Sequence, residues 1–109
     1  MSGIPKLSHL QFLVTGLLRG RKLPGREVRE RLADFGVKKS GPAFYQLMAR
    51  LEEAGLVEGS YHQEIVQSQI IRERHYTLTA SGLRSWESCR DFYVDAIRDF
   101  GGLEGLARV

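Results

Sequence analysis

Cysteine is almost missing from this sequence, proline is sparse, and no long apolar run occurs. Each scarcity closes off a class of protein. The lone Cys89 excludes an internal disulfide and any multi-cysteine zinc site, and fits a reducing, intracellular setting. No apolar stretch nears the ~20 residues that cross a bilayer, and the start shows no basic segment running into an apolar one. A cytoplasmic protein without a membrane partner is therefore expected. His62 and Glu64 form an H-x-E, yet the paired cysteines of a zinc deaminase are absent, so the motif carries no chemistry. There is no Ser-His-Asp arrangement, phosphate-cradling loop or dinucleotide fingerprint, so no catalytic residue, metal or cofactor is expected.

What is present suits one ordinary folded domain. The chain has 109 residues, 42% of them hydrophobic and 27% charged, enough for a modest core and too apolar for wholesale disorder. The net charge of +3 is unevenly spread. Residues 1 to 59 hold ten Lys/Arg against six Asp/Glu, giving +4; residues 60 to 79 balance at two and two; residues 80 to 109 hold four against five, giving −1. The basic excess lies in the first half.

Apolar spacing marks the elements. Leu7, Leu10, Val14, Leu17 and Leu18, widened by Phe12 and Leu13, predict a central helix near residues 7 to 19. A turn rich in breakers follows from Gly20 to Gly25, then a short helix from about residue 25 to 35 whose stripe is Val28, Leu32 and Phe35, stopped by Gly36. The third helix has Ser40 as its cap, Pro42 in its first turn and Gly55 at its end. Phe44, Leu47, Met48 and Leu51 give it a clean core face, leaving Tyr45, Gln46, Ala49 and Arg50 outside. Two β-rich segments, residues 56 to 66 and 69 to 78, read as strands meeting near Val66-Gln67-Ser68-Gln69. Thr79 caps a last helix on which Leu83, Trp86, Cys89, Tyr93, Ile97 and Phe100 keep helical spacing, with Phe92 and Ala96 beside them. His9 reads as an ordinary helix histidine. Glu87, Asp91 and Asp95 (i, i+4, i+8) read as a solvated face rather than a metal site.

Three helices, a hairpin and a further helix define a mostly α fold with a small β-hairpin, a winged helix-turn-helix with a long C-terminal dimerisation helix. The expected divisions are a winged-helix DNA-binding domain over 1–79, the dimerisation helix over 80–100 packed on the same domain, and a tail over 101–109. In such folds the third helix leads into the major groove with its N-terminal residues. That accounts for an oddity of charge. Lys38 and Lys39 precede the helix while Glu52 and Glu53 close it, the reverse of what the helix dipole favours. Cations at the leading end meet phosphates, and the acids stand at the trailing end, away from the polyanion.

The run "FYQLMARLEEAGLVEG" (44–59) resembles the aromatic-bearing recognition helix of PadR-like transcriptional regulators and the "RLEEEGLIE" after it, and "RERHYTLTASG" (72–82) resembles that family's "RRYYRLTEAG". The likeness covers residues 10 to 82. It implies a dimeric DNA-binding repressor of the short, single-domain type, with the dimer contact on the C-terminal helix. Two places differ: Ser40-Gly41-Pro42-Ala43 stands where the family has Ser-Pro-Gly-Thr, and Arg26 replaces a tyrosine. On this reading the candidate contacts to double-stranded DNA are Lys38, Lys39, Ser40, Tyr45, Gln46 and Arg50, with Arg72 and Arg74 in the wing and His75 beside them. The candidate dimer interface is Trp86, Cys89, Phe92, Tyr93, Ala96, Ile97 and Phe100. Trp86 has two readings, the lining of a seam for a small apolar effector or plain core packing. The function expected is a transcription regulator, a repressor, on an inverted-repeat operator. The alternative is a winged-helix module that binds another protein and no DNA.

Overall fold

The structure is a computed structural model and describes residues 4–101; the expected tail lies, from Gly102 on, outside the described residues. The order is α1 (His9–Leu17), β1 (Leu23–Pro24), α2 (Gly25–Asp34), α3 (Gly41–Glu53), β2 (Val57–Val66), β3 (Gln69–Leu78) and α4 (Ala80–Asp99). No described helix is long and apolar enough to cross a membrane.

Local chemistry sets the ends. Ser8 Oγ accepts from Gln11 N at 3.1 Å while Ser8 N donates to Gln11 Oε1 at 2.9 Å, a reciprocal cap that starts α1. The buried Thr15 hydroxyl is satisfied by donating to the Gln11 carbonyl at 2.8 Å. Ser40 caps α3, with Pro42 in its first turn, and Gly55 at φ +74 ends the run. Phe44, Met48 and Leu51 point from α3 into a core shared with Val14, Leu18, Val28, Leu32, Val57 and Tyr76. Leu47 is partly buried against it.

Phe35 departs from the expected stripe. Helix α2 ends at Asp34, and Phe35 at the cap turns outward, 62% exposed. Gly36 at φ +86 then reverses the chain so that Val37 N donates to Leu32 O at 2.9 Å and Val37 packs on the core instead.

A second difference is β1. The segment read as a turn holds a two-residue strand, Leu23 opposite Tyr76 and Pro24 opposite His75, so the hairpin belongs to a three-stranded antiparallel sheet in the order β1-β3-β2. Buried Leu23 ties it to the core, and Pro24 is tolerated because β1 is an edge strand. Between β2 and β3, Gln67 and Ser68 both take positive φ (51° and 65°) with Val66 opposite Gln69, a two-residue turn of the primed kind without its usual glycine or asparagine.

Helix α4 is seated by its cap. Thr79 Oγ1 accepts from Gly82 N at 2.9 Å and donates to Gly55 O at 2.6 Å, while Thr79 N donates to Leu56 O at 3.1 Å. Gly82 passes so near the Leu56 carbonyl that no side chain fits there. One turn on, the Trp86 ring stacks on Phe12 at 5.9 Å across Gly16, flanked by the Arg19 and Arg90 guanidiniums. Trp86 is thus half-buried between α1 and α4 within the single chain.

Candidate nucleic-acid interface

Helix α3 presents Tyr45, Gln46, Ala49 and Arg50 to solvent, as their offset from the core stripe requires. Tyr45 is 46% exposed. Its ring meets Phe44 edge-on at 5.1 Å and lies against Gly25, where a Cβ would sit 3.0 Å from the Tyr45 hydroxyl. Gly25 therefore lets the tyrosine lie across the start of α2. Ser40 Oγ accepts from Ala43 N at 3.3 Å, so this oxygen is engaged in capping. Lys38 is exposed and Lys39 half-buried.

A residue missed in the sequence joins these lysines. Arg29 Nε donates to the Lys39 carbonyl at 2.8 Å, and Arg26, Arg29, Lys38, Lys39 and Tyr45 line a cleft of about 340 Å³ between α2 and α3. The signal for Arg29 was available: it lies one position past Val28, on the helix face turned from the core. What the sequence lacked was the angle between α2 and α3.

The wing stands on the other side of α3. A groove of about 420 Å³ between them is lined by Tyr45, Ala49 and Glu52 of α3, Tyr61 of β2, and Arg72, Arg74 and Tyr76 of β3. Arg72 is exposed, its guanidinium 3.9 Å from the centre of the Tyr61 ring. Arg74 differs: it is half-buried, and its Nη2 donates to Glu52 Oε1 at 2.8 Å. The Glu52 hydrogen bond raises the Arg74 pKa further, against some desolvation. Glu52, at the trailing end of α3, thus fastens the wing to that helix. Gly59 makes room, since a Cβ there would run into both side chains. Burial pushes the neighbouring Tyr76 hydroxyl up to about 12.

A second tie joins the wing to α2. Arg26 Nε lies 2.8 Å from Glu73 Oε1, a bond that holds the Glu73 carboxyl below its ordinary range. The His75 ring lies 4.8 Å from that of His62, with Nε2 3.6 Å from Glu73 Oε2, so His75 faces the opposite side from Arg72 and Arg74. His62 Nε2 is 3.8 Å from Glu64 Oε2. Among the described residues no three His, Cys, Asp or Glu side chains gather to hold a metal.

Along α4, Phe92, Ala96 and Ile97 are half-buried and Tyr93 and Phe100 exposed. Cys89 is 2% exposed in the single chain, and burial pushes its thiol up; little of it is left for another subunit.

The arrangement is that of a winged helix-turn-helix, with α3 as the exposed third helix and the hairpin as its wing. No family model and no curated protein matches the sequence. Solved structures do. A PadR family transcriptional regulator from Eggerthella lenta is 28% identical over 86% of this chain and 80% of its own, with a TM-score of 0.61. A PadR family transcription regulator from hypervirulent Clostridium difficile is 19% identical over 87% of this chain and all of its own, with a TM-score of 0.68. Bacillus subtilis PadR in complex with operator DNA is 21% identical over 74% of this chain and 47% of its own, with a TM-score of 0.59. The chain is thus similar in fold to PadR-family transcriptional regulators.

Proposed function

We propose that this chain is a sequence-specific DNA-binding transcription regulator, a repressor that binds an inverted repeat as a homodimer. The observation that carries the reading is the uncovered outer face of α3, flanked on one side by the cleft of Arg29, Lys38 and Lys39 and on the other by Arg72. Cations on both sides of one exposed helix suit a major groove between two phosphate ridges. The neighbours are regulators rather than enzymes, and one of them is bound to operator DNA. Tyr45, Gln46 and Arg50 read bases or phosphates; Lys38, Lys39, Arg29 and Arg72 position the backbone. The first 79 residues form the DNA-binding part and α4 the dimer contact, with an apolar effector beside Trp86.

The rival, a winged helix that docks on protein, draws on the wing: Arg74 is already paired with Glu52 and Arg26 with Glu73, so fewer cations stay free. Selection of bound sequences from a random duplex pool, followed by titration in salt, separates the two. DNA held through several phosphates weakens steeply between about 50 and 200 mM salt, with a slope near 0.9 per phosphate contact. Lys38→Gln with Lys39→Gln is expected to flatten that slope by up to about two units. Tyr45→Ala is expected to weaken binding while costing about 1 kcal/mol of stability, given a ring that is only half exposed. No enrichment from the pool removes the DNA reading.

A further inference from the structure

We propose that Tyr61 is a positioning residue for DNA binding: its ring holds the Arg72 guanidinium in place beside α3 before any duplex arrives. The inference rests on the DNA reading above and adds to it a residue that acts only through another. The register sets Tyr61 opposite Arg74 and Gln63 opposite Arg72. Tyr61 and Arg72 are therefore diagonal neighbours on the face that carries Tyr76 into the core. From that core outward, rings and cations alternate. The Arg74 guanidinium lies 5.9 Å from the centre of the buried Tyr76 ring and 4.9 Å from that of Tyr61. The Arg72 guanidinium comes next, 3.9 Å from the Tyr61 ring.

The two arginines are held differently. Glu52 fixes Arg74 at 2.8 Å, whereas Arg72 has no acidic partner among the described residues and rests on the Tyr61 ring. Without that ring, an arginine on an exposed strand would sample many rotamers, pushed away by the like charge of Arg74 two positions on. The negative face of the ring attracts both guanidiniums and offsets their repulsion. Tyr61 and Arg72 line one groove with Tyr45 and Ala49 of α3, so the held cation stands next to the helix proposed to read the bases. A side chain ordered beforehand loses less freedom when it meets a phosphate, and binding is tighter for it. The contact is made by the ring, so phenylalanine should serve in its place and leucine should not.

The test is a double-mutant cycle on a duplex carrying a sequence selected from the random pool. Arg72→Gln is expected to lower the salt slope by up to about 0.9, the mark of one phosphate contact. Tyr61→Leu is expected to weaken binding by about two- to fivefold, the worth of an exposed cation–π pair, and to change nothing once Arg72 is glutamine. Tyr61→Phe should bind like wild type. Tyr61 is 59% exposed, and an unchanged melting temperature certifies the fold of each variant. The free protein gives a second readout. Ring current should shift the Arg72 Nε–H proton upfield in wild type and Tyr61→Phe, and Tyr61→Leu should return it to the value of a free arginine. Equal losses with and without Arg72 would mean a merely structural role or a direct DNA contact, and overturn the proposal. So do a Tyr61→Leu protein that binds like wild type, an Arg72→Gln slope that does not change, and an Arg72 proton indifferent to the ring. If wild type forms no salt-sensitive complex with DNA at all, the DNA reading falls and this role with it, an outcome distinct from a complex that ignores Tyr61.

Discussion

Arg74 Nη2 lies 2.8 Å from Glu52 Oε1, so the wing is fastened to the trailing end of the helix it flanks, and the pair crosses over Gly59 because that position has no side chain. This contact takes one cation out of the pool that could meet phosphate. Glu52→Gln is therefore expected to release Arg74 and steepen the salt dependence of DNA binding by up to about 0.9. The lost pair should cost about 1 kcal/mol of stability or less. Gly59→Ala should act in the same direction by pushing the two side chains apart. A Glu52→Gln protein with an unchanged salt slope and weaker binding would show instead that Arg74 serves DNA only by holding the wing in place.

The seat of α4 on the end of α3 depends on Gly82. A Cβ there would strike the Leu56 carbonyl, which is backbone and already accepts from Thr79, so it cannot swing aside as a side-chain tip would. Alanine favours helices over glycine by up to about 1 kcal/mol, yet the clash of a close-packed site costs about 1–3. Gly82→Ala is expected to lower the melting temperature by several degrees, at about 4–8 °C per kcal/mol for a domain of this size. A melting temperature that stays put or rises would mean that α4 does not rest on Leu56.

The wing's other tie should fail in acid. The hydrogen bond from Arg26 lowers the Glu73 pKa in the folded chain below its ordinary 4.5. A depressed carboxyl stabilises the fold above its unfolded pKa, and that contribution fades as pH falls through the folded value. The Arg26–Glu73 attachment is thus expected to hold from neutrality to about pH 4.5 and to loosen below it. Hydrogen exchange of β3 amides, corrected for the intrinsic rate at each pH and compared between wild type and Glu73→Gln, reads this directly: the wild type should lose protection toward acid, and the variant should already be less protected at neutral pH. Identical profiles would leave the ion pair without a role in wing order.

Helix boundaries, caps, the α3 core stripe and the hairpin were legible because each rests on residues close together in the chain: Ser40 and Ala43, Phe44 and Leu51, Thr79 and Gly82. What escaped was set by distant partners. Leu23-Pro24 became a strand because Tyr76 and His75 lie beside it, about fifty positions on. Phe35 left the stripe because Gly36 turned the chain and brought Val37 to the core. Glu52 was read by its position on a helix end, whereas its use depends on Arg74 from another element. The exposed face of α3 was visible from periodicity, but the cleft that adds Arg29 to Lys38 and Lys39 needed the packing of α2 on α3.

The outer part of α4 carries an apolar stripe left uncovered within the described chain. Helices α1 and α4 meet around Phe12 and Trp86, but the stripe continues through Phe92, Tyr93 and Ile97 to Phe100, with Tyr93 47% exposed and Phe100 79% exposed. Aromatic and aliphatic surface of this extent seldom stays in water on a monomer. Each large side chain contributes about 1.5–3 kcal/mol when buried, and a two-fold axis lets one apolar face cover its own copy. A homodimer is expected at micromolar concentration, with Ile97→Asp and Phe100→Asp together giving monomers or insoluble protein. Two copies of α3 would then face successive major grooves, and the selected DNA should be an inverted repeat with half-sites about one turn apart, ~34 Å. Sedimentation decides the matter independently of DNA. A soluble wild-type monomer at tens of micromolar would remove the α4 interface, and with it the reason to expect two-fold symmetry in the operator.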